Sequence, residues 1–391
     1  MYDITQYHPG MKVLDGVYDG MCDLEDLYVS YREARKGKRY KRKILAFTDD
    51  LENQMLSIRD DLTDLSYEMG EYHMFYVHEP KLRLVMSIGF RDRIVQWSIY
   101  RRLYPFYDSL FITDSYACRK GKGSHEAADK LQYWMRKANR REKENPGVKW
   151  YYLKLDVSKY FYRVSHEVLI NILKTRIRDE RFMALLVKII NNDKQKFGLP
   201  AGYAPEDCEY DDWLYDVGMP IGNITSQMFA NIYLNELDQF CKHTLGVRYY
   251  IRYMDDVIIL HNSKEDLNQW KAQIDEFMRD ALRLNLNKKT AIRPISLGVE
   301  FVGYKIWSTH RKLKRSTARK ILRKVKVLCY MLSVKEITRA EFDRKAASYN
   351  GVLQHCDSHG LRDALNEIYR KYNMPEVPDD AKTKRLEGKM E

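Results

Sequence analysis

The stretch Arg248-Tyr249-Tyr250-Ile251-Arg252-Tyr253-Met254-Asp255-Asp256-Val257-Ile258-Ile259-Leu260 decides how this chain folds. Two β-prone runs flank a short polar tip, the pattern of a hairpin. Neighbouring side chains on a regular strand point to opposite faces, so Asp255 and Asp256 would diverge inside one. At a hairpin tip both carboxylates can approach one spot. Two anions held together are costly unless a cation or a proton lies between them. An Asx-rich turn would account for an isolated Asp-Asp pair. Strongly apolar flanks and a third carboxylate upstream favour a metal site instead.

The third carboxylate ends the run Trp150-Tyr151-Tyr152-Leu153-Lys154-Leu155-Asp156-Val157. Leu153, Leu155 and Val157 alternate with Tyr152, Lys154 and Asp156, which predicts a half-buried strand. An aspartate there, beside a hairpin bearing two more, predicts a carboxylate cluster for two Mg²⁺ ions. Such a pair stabilises the attacking and leaving oxygens of an in-line phosphoryl displacement. Mg²⁺ is held by few carboxylates together with substrate phosphates, which suits a nucleotide substrate. Asp156 and Asp255 are the expected principal ligands, with Asp256 tuning the site.

Five stretches, in order over roughly residues 70 to 310, resemble the reverse transcriptases. Pro80-Lys81-Leu82-Arg83-Leu84 with Phe90-Arg91-Asp92-Arg93-Ile94-Val95-Gln96 is similar to the fingers motifs. Asp156 followed by Ser158-Lys159-Tyr160-Phe161 is similar to the first palm motif. Gly218-Met219-Pro220-Ile221-Gly222-Asn223-Ile224-Thr225-Ser226-Gln227 resembles the template- and nucleotide-positioning motif. Tyr253 to Asp256 resembles the active-site hairpin, and Gly298-Val299-Glu300-Phe301-Val302-Gly303-Tyr304 resembles the primer grip. A lone YxDD is weak evidence, whereas five ordered motifs are strong.

The resemblance implies an α+β fold of right-hand polymerase architecture. It would comprise an N-terminal helical extension (1–75), fingers (76–148), a palm with a ferredoxin-like antiparallel sheet (149–307), a helical thumb (308–374) and a flexible tail (375–391). It implies an RNA-directed DNA polymerase in which a primer 3′-hydroxyl attacks the α-phosphate of a deoxynucleoside triphosphate. Asp156, Asp255 and Asp256 would be catalytic, and the backbone carbonyl of Val157 would join them as a ligand for two Mg²⁺ (or Mn²⁺) ions. Lys81, Arg83, Phe161, Ile221, Gly222 and Gln227 would contact the incoming nucleotide. Phe161 would exclude a ribose 2′-hydroxyl by occupying its space. Either Tyr160 or Phe161 could be the buried ring of that pair. Lys81 and Arg83 alternate with Leu82 and Leu84, which puts both cations on one strand face, where Arg can grip two phosphate oxygens. The implied partners are a cognate structured RNA, a DNA primer or product, and either a small basic accessory protein or another subunit.

Group II intron and retron enzymes usually show Gln-Gly…Ser-Pro in the positioning motif, whereas this chain has Ile221-Gly222…Ser226-Gln227. That form, with Asp114-Ser115-Tyr116-Ala117-Cys118-Arg119-Lys120-Gly121-Lys122-Gly123-Ser124-His125, resembles reverse transcriptases of diversity-generating retroelements. Defence-associated bacterial reverse transcriptases carry similar strings and form the alternative class. A catalytically silent RNA-binding scaffold is the third, opposed by the intact aspartates and Phe161.

Composition agrees with a polyanion partner. The 391 residues carry 67 Lys+Arg against 55 Asp+Glu, a net charge of +12. From Arg35 to Lys43 seven of nine residues are basic, and from Arg311 to Lys326 nine are basic and none acidic. Lys38, Arg39, Arg319, Arg323 and Lys326 are the expected nucleic-acid contacts. Ser316 is expected to cap a helix whose stripe is Ile321, Leu322, Val325, Leu328, Cys329 and Leu332. A second helix is expected over Leu267 to Leu284, and Asn223 to Gln227 should cap a third running to Phe240.

The six cysteines form no Cys-x-x-Cys pair, so no disulfide framework or zinc ribbon is indicated. His355-Cys356-…-His359 reads as a helix-connecting turn. No apolar run approaches a membrane span, and a cytoplasmic protein of bacterial or phage origin is expected. Between Asn191 and Gly218 the chain is longer than the family pattern, with six acidic residues and no basic ones from Tyr203 to Asp216. That insertion should repel a template; it is expected to be a surface loop, a dock for a basic partner, or a regulatory plug.

Overall fold

In the computed structural model the described residues are 12–78 and 83–374. Helices α1 (Leu24–Ala34), α2 (Arg42–Asp49) and α3 (Leu51–Thr63) come first. Strands β1 (His73–Val77) and β2 (Arg83–Ser87) follow, then α4 (Phe90–Asp108), α5 (Ser124–Glu144) and β3 (Tyr151–Asp156). Helices α6 (His166–Lys174), α7 (Glu180–Ile190) and α8 (Ile224–Gln239) precede β4 (Tyr249–Tyr253) and β5 (Asp256–His261). Next come α9 (Lys264–Asp280) and the short strands β6 (Ala291–Pro294), β7 (Val299–Phe301), β8 (Tyr304–Ile306) and β9 (Arg311–Leu313). Helices α10 (Arg315–Ser333), α11 (Arg339–Leu353) and α12 (His359–Lys371) complete the described chain. The fold is mixed helix and sheet, with antiparallel pairing in β1–β2 and β7–β8–β9.

The chain divides into two compact units. The first holds the described residues of 1–123, 153–259 and 265–291; the second holds those of 124–152, 260–264 and 292–391. The four-stranded sheet has the order β4-β5-β3-β6. The two-residue link between β4 and β5 makes them an antiparallel hairpin.

In the first unit α8 is buried on nearly every side from Thr225 to Gln239. A helix buried all round must find partners for its polar side chains. Asn231 Nδ2 donates to the Ala117 carbonyl at 2.8 Å, and Gln239 Nε2 donates to the Leu110 carbonyl at 3.2 Å. Asn223 occupies the cap position of α8, but its amide donates to Tyr72 Oη at 3.3 Å instead of capping the helix. Asp179 does cap α7, accepting from the Phe182 N–H at 3.0 Å.

The second unit has its own core. Ile321, Val325, Leu328 and Cys329 of α10 pack with Phe342 and Ala346 of α11 and Leu365 and Tyr369 of α12. The expected apolar stripe is therefore present, with Leu322 and Leu332 partly buried beside it. The expected Ser316 cap is not: α10 begins at Arg315, with Lys314 in the cap position and no side-chain cap bond. Helix α9 starts and ends a few residues before the expected span, because Ala281 already belongs to a turn. His355 and Cys356 lie in the turn joining α11 to α12. No helix among the described residues is long and apolar enough to cross a membrane.

Candidate active site

The site grows from the β4–β5 hairpin. Both strands are buried over most of their length, so register is dictated by what the core accepts. The turn consists of Met254 and Asp255, with Asp256 opening β5. Met254 has φ +54°, a conformation unusual outside glycine. Such strain persists only where surrounding structure over-determines it. Here Arg252 supplies the restraint by donating from Nη1 to the Met254 carbonyl at 3.1 Å.

Arg252 is itself fixed in the dry interior. Its guanidinium grips Asp238 through Nε to Oδ1 at 2.7 Å and Nη2 to Oδ2 at 2.6 Å, with both side chains fully buried. Burial opposes the guanidinium charge, but Asp238 outweighs it and raises the Arg252 pKa. Tyr250 Oη donates to Asp238 Oδ1 at 2.6 Å, and burial followed by the Asp238 charge pushes that phenol well up. A parallel bridge between Ser115 and Arg252 adds backbone bonds, from the Arg252 N–H to the Asp114 carbonyl and from the Tyr116 N–H to the Arg252 carbonyl, both at 3.0 Å. The 114–117 segment thus braces the strand that carries the turn.

Asp156 ends β3, which neighbours β5. Its carbonyl accepts from the Asn287 N–H at 2.7 Å, and the next N–H, of Ser158, donates to the Asn285 carbonyl at 2.9 Å. Val157, between them, pairs antiparallel with Leu286 and buries its side chain. Lys154, two residues before Asp156 and on the same strand face, lies 3.0 Å from Asp256 Oδ1 and donates to Oδ2 at 3.1 Å.

Asp256 senses the other two carboxylates. The Asp256 pKa is pushed up to about 6, first by burial and then by the charges of Asp255 and Asp156, with Lys154 opposing. A carboxylate so disposed accepts a proton or a cation readily. The donors are all hard oxygens, which fits Mg²⁺ or Mn²⁺. Among the described residues no group of three or more Asp, Glu, His or Cys side chains is placed to hold a metal ion, so the expected three-carboxylate cluster is not assembled. Mg²⁺ needs few protein carboxylates, because its remaining ligands come from substrate phosphates and water.

The segment after Asp156 turns sharply through Lys159, at φ +50°, into a short 3₁₀ turn over Tyr160–Tyr162. Tyr160 is the buried ring of its pair, with Oη donating to the Ala230 carbonyl at 2.7 Å. Phe161 stays half exposed, edge-on to it at 5.6 Å, and its carbonyl accepts from the Met219 N–H at 2.7 Å. The Ile221 carbonyl accepts from the Met86 N–H of β2 at 3.1 Å. A Cβ on Gly222, at φ +119°, would stand 3.1 Å from Val85 Cγ1, so glycine permits that approach. Arg83 is exposed, and its charge acts on the Tyr162 phenol, whose pKa burial raises and Arg83 lowers. Gln227 is exposed on the first turn of α8, its Oε1 3.4 Å from Cys118 Sγ. Lys81 lies outside the described residues.

The remaining basic candidates fall in two places. Lys38 and Arg39 sit in the turn between α1 and α2, Lys38 half buried and Arg39 exposed. Arg319, Arg323 and Lys326 share the exposed side of α10 in the second unit.

Sequence reasoning passed over Lys154, Arg252 and Asp238. Lys154 carried a signal, since it shares the Asp156 face at a spacing of two. Arg252 within an apolar strand and Asp238 within an apolar helix were each visible, but their pairing was not. The acidic segment is also more engaged than a surface loop. Lys159 Nζ donates to the Tyr203 carbonyl, Arg163 donates to the Pro200 carbonyl, and the Trp213 ring meets the Tyr162 ring edge-on at 5.6 Å. Gly218 ends that segment, and a Cβ there would sit 2.4 Å from the Phe197 backbone.

The family model described as "Reverse transcriptase (RNA-dependent DNA polymerase)" matches residues 78–306, more than half of the 391 residues. The chain belongs to the reverse transcriptase family. Among similar proteins, YkfC of Escherichia coli (strain K12) is 27% identical over 284 residues, covering 64% of this chain and 70% of its own. The group II intron-encoded protein LtrA of Lactococcus lactis subsp. cremoris is 24% identical over 440 residues, covering 92% of this chain and 67% of its own. A solved apo telomerase from Candida tropicalis, truncated from its C-terminal domain, superposes with a TM-score of 0.43 and 16% identity, covering 63% of this chain and 55% of that one.

Proposed function

We propose that the protein is an RNA-directed DNA polymerase that copies a cognate structured RNA by nucleotidyl transfer at Asp156, Asp255 and Asp256. The observation that carries this is the buried Asp256 at a restrained hairpin, which senses the charges of Asp255 and of Asp156 on the neighbouring strand. Residues 76–148 serve as fingers, 149–307 as palm and 308–374 as thumb. Asp156 and Asp255, with the Val157 carbonyl, would hold the divalent cations. When bound, those cations supply Lewis acidity at the primer hydroxyl and the triphosphate. Lys154 keeps Asp256 in place and offsets part of the local negative charge, so the cluster tolerates the approach of a polyanion. Arg83 and Lys81 bind the triphosphate oxygens, and the half-exposed Phe161 occupies the volume a 2′-hydroxyl would need.

The biological setting we favour is a diversity-generating retroelement, on the strength of Ile221-Gly222 with Ser226-Gln227 and of the 114–125 stretch. The test is to sequence the nucleic acid that co-purifies after incubation with Mg²⁺ and four deoxynucleotides. Complementary DNA with substitutions concentrated at template adenines supports this setting. A faithful, repetitive or template-free product moves the enzyme to the defence class. For the chemistry itself, Asp255→Asn should cut primer extension at least about a thousandfold, a loss of about 4 kcal/mol of transition-state stabilisation, while RNA binding persists. Undiminished extension would sink the polymerase assignment of this hairpin.

A further inference from the structure

Helices α1 and α3 of the first unit are apolar on two sides, and the core covers one of them. On α1 Leu27, Tyr31 and Ala34 turn inward and are buried, whereas Leu24, Tyr28 and Val29 stay 37%, 45% and 41% exposed. On α3 Ile58 and Leu62 are buried, while Leu51 and Leu56 remain partly open to solvent. The open sides meet in a groove of about 680 Å³, which the buried Met55 also lines. Glu25 and Glu52 line it as well. Both are exposed, and neither has an ion-pair partner among the described residues. A contiguous apolar patch rimmed by polar groups marks an interaction surface.

The rim decides what chemistry can lie there. Although the whole chain carries a net charge of +12, the two carboxylates at this groove repel phosphate, which disfavours an RNA or DNA backbone. The complement is a segment with apolar side chains flanked by cations. Helix α2, which links α1 to α3 in the chain, presents that combination. Ile44 anchors it inward, while Arg42, Lys43 and Leu45 are exposed, Leu45 by 49%. Tyr40, just before the helix, is 78% exposed. Arg42 and Lys43 have no carboxylate partner among the described residues. None of Tyr40, Arg42, Lys43 and Leu45 lines the groove of its own molecule.

We infer that the groove receives the α2 ridge of a second copy of this chain. Ridge and groove lie on three consecutive helices, so one two-fold rotation seats both at once, each copy giving a ridge and taking one. Tyr40 and Leu45 cover the apolar floor, and Arg42 and Lys43 meet Glu25 and Glu52. This is helix-in-groove recognition, with complementary charge at the rim setting the register. Neither Asp156, Asp255, Asp256, Phe161 nor Arg83 lines the groove, so pairing of copies is separable from nucleotidyl transfer.

The test is the mass of the full chain in solution, after nuclease treatment so that no RNA bridges two copies. Sedimentation equilibrium of the unaltered chain at micromolar concentration should give twice the mass of one chain. A groove variant, Glu25→Lys with Glu52→Lys, should weaken self-association at least about tenfold, and a ridge variant, Arg42→Glu with Lys43→Glu, should do the same. All four side chains are exposed, so the melting temperatures should stay unchanged. An equimolar mixture of the two variants should regain the paired mass, because each altered rim then faces one of opposite charge. Primer extension by the groove variant should match that of the unaltered chain. A monomeric unaltered chain would overturn the inference. So would a dimer indifferent to both variants, or a mixture of the variants that stays monomeric. A monomeric chain that binds a synthetic amphipathic helix of leucine and lysine, with binding lost in the groove variant, would assign the groove to a different basic protein and overturn the second copy.

Discussion

Two hairpins of this protein share a backbone form and differ in almost everything else. The β4–β5 hairpin is buried along both strands and braced by Arg252 and Asp238. The β1–β2 hairpin pairs His73 with Ser87 through Val77 with Arg83, and four of the five β1 residues are exposed. The first carries two adjacent carboxylates, Asp255 and Asp256, and Asp256 also senses the charge of Asp156 on the neighbouring strand, which demands a stiff, desolvated support. The second leaves Arg83 exposed, and under the proposed function a ligand bringing its own charge demands only reach. Rigidity is placed where like charges are held together, and exposure where the proposed anionic substrate would meet a cation.

The comparison breaks most readily at Arg252. Replacing Arg252 by Met strands the buried Asp238 charge and should cost about 3–5 kcal/mol of stability. Chemical denaturation measures this, and a loss under about 1 kcal/mol would mean the pair is hydrated and the hairpin less restrained than its burial indicates.

A smaller effect sharpens the same side. The folded pKa of Asp256, about 6, stands above the usual carboxylate value, so its ionised form destabilises the fold at neutral pH. In EDTA, Asp256→Asn should therefore be more stable than the parent at pH 7 by about 3 kcal/mol, from a shift of roughly two units. The sign follows from proton uptake: below about pH 4 both states of the parent are protonated, and the advantage should vanish. Melting curves from pH 4 to 8 with a constant gap between the two proteins would contradict the raised pKa of Asp256.

The smallest effect belongs to the exposed hairpin. Arg83→Ala should leave stability within about 0.5 kcal/mol and raise the KM for deoxynucleotides about fivefold with little change in kcat. Steady-state primer extension decides it. A drop in kcat at constant KM would show that Arg83 acts on the reacting phosphate, and a large fall in melting temperature would show that its exposure is misleading.

Much of the site was legible in the chain because its signals are local. Alternation over Tyr152 to Val157 marks a strand, and a polar tip between apolar runs at Tyr253 to Asp256 marks a turn. Both need only the two-residue repeat of β structure. The α10 stripe was legible for the same reason at a helical period, whereas its start was not, since Arg315 extends the helix past Ser316 without any side-chain cap. Cap bonds depend on competing partners, as the amide of Asn223 shows by turning to Tyr72 instead.

The sequence by itself determined the family, the order of the motifs and which carboxylates stand at strand ends, because each follows from residue type and short-range spacing. Only the tertiary structure decided that Lys154 engages Asp256, that Arg252 and Asp238 neutralise each other in the dark of the core, and that the acidic segment folds against the Tyr160–Tyr162 turn. These are contacts between residues far apart in the chain, set by the packing of α8 and the sheet. Their energies come from desolvation, which no local pattern of letters records.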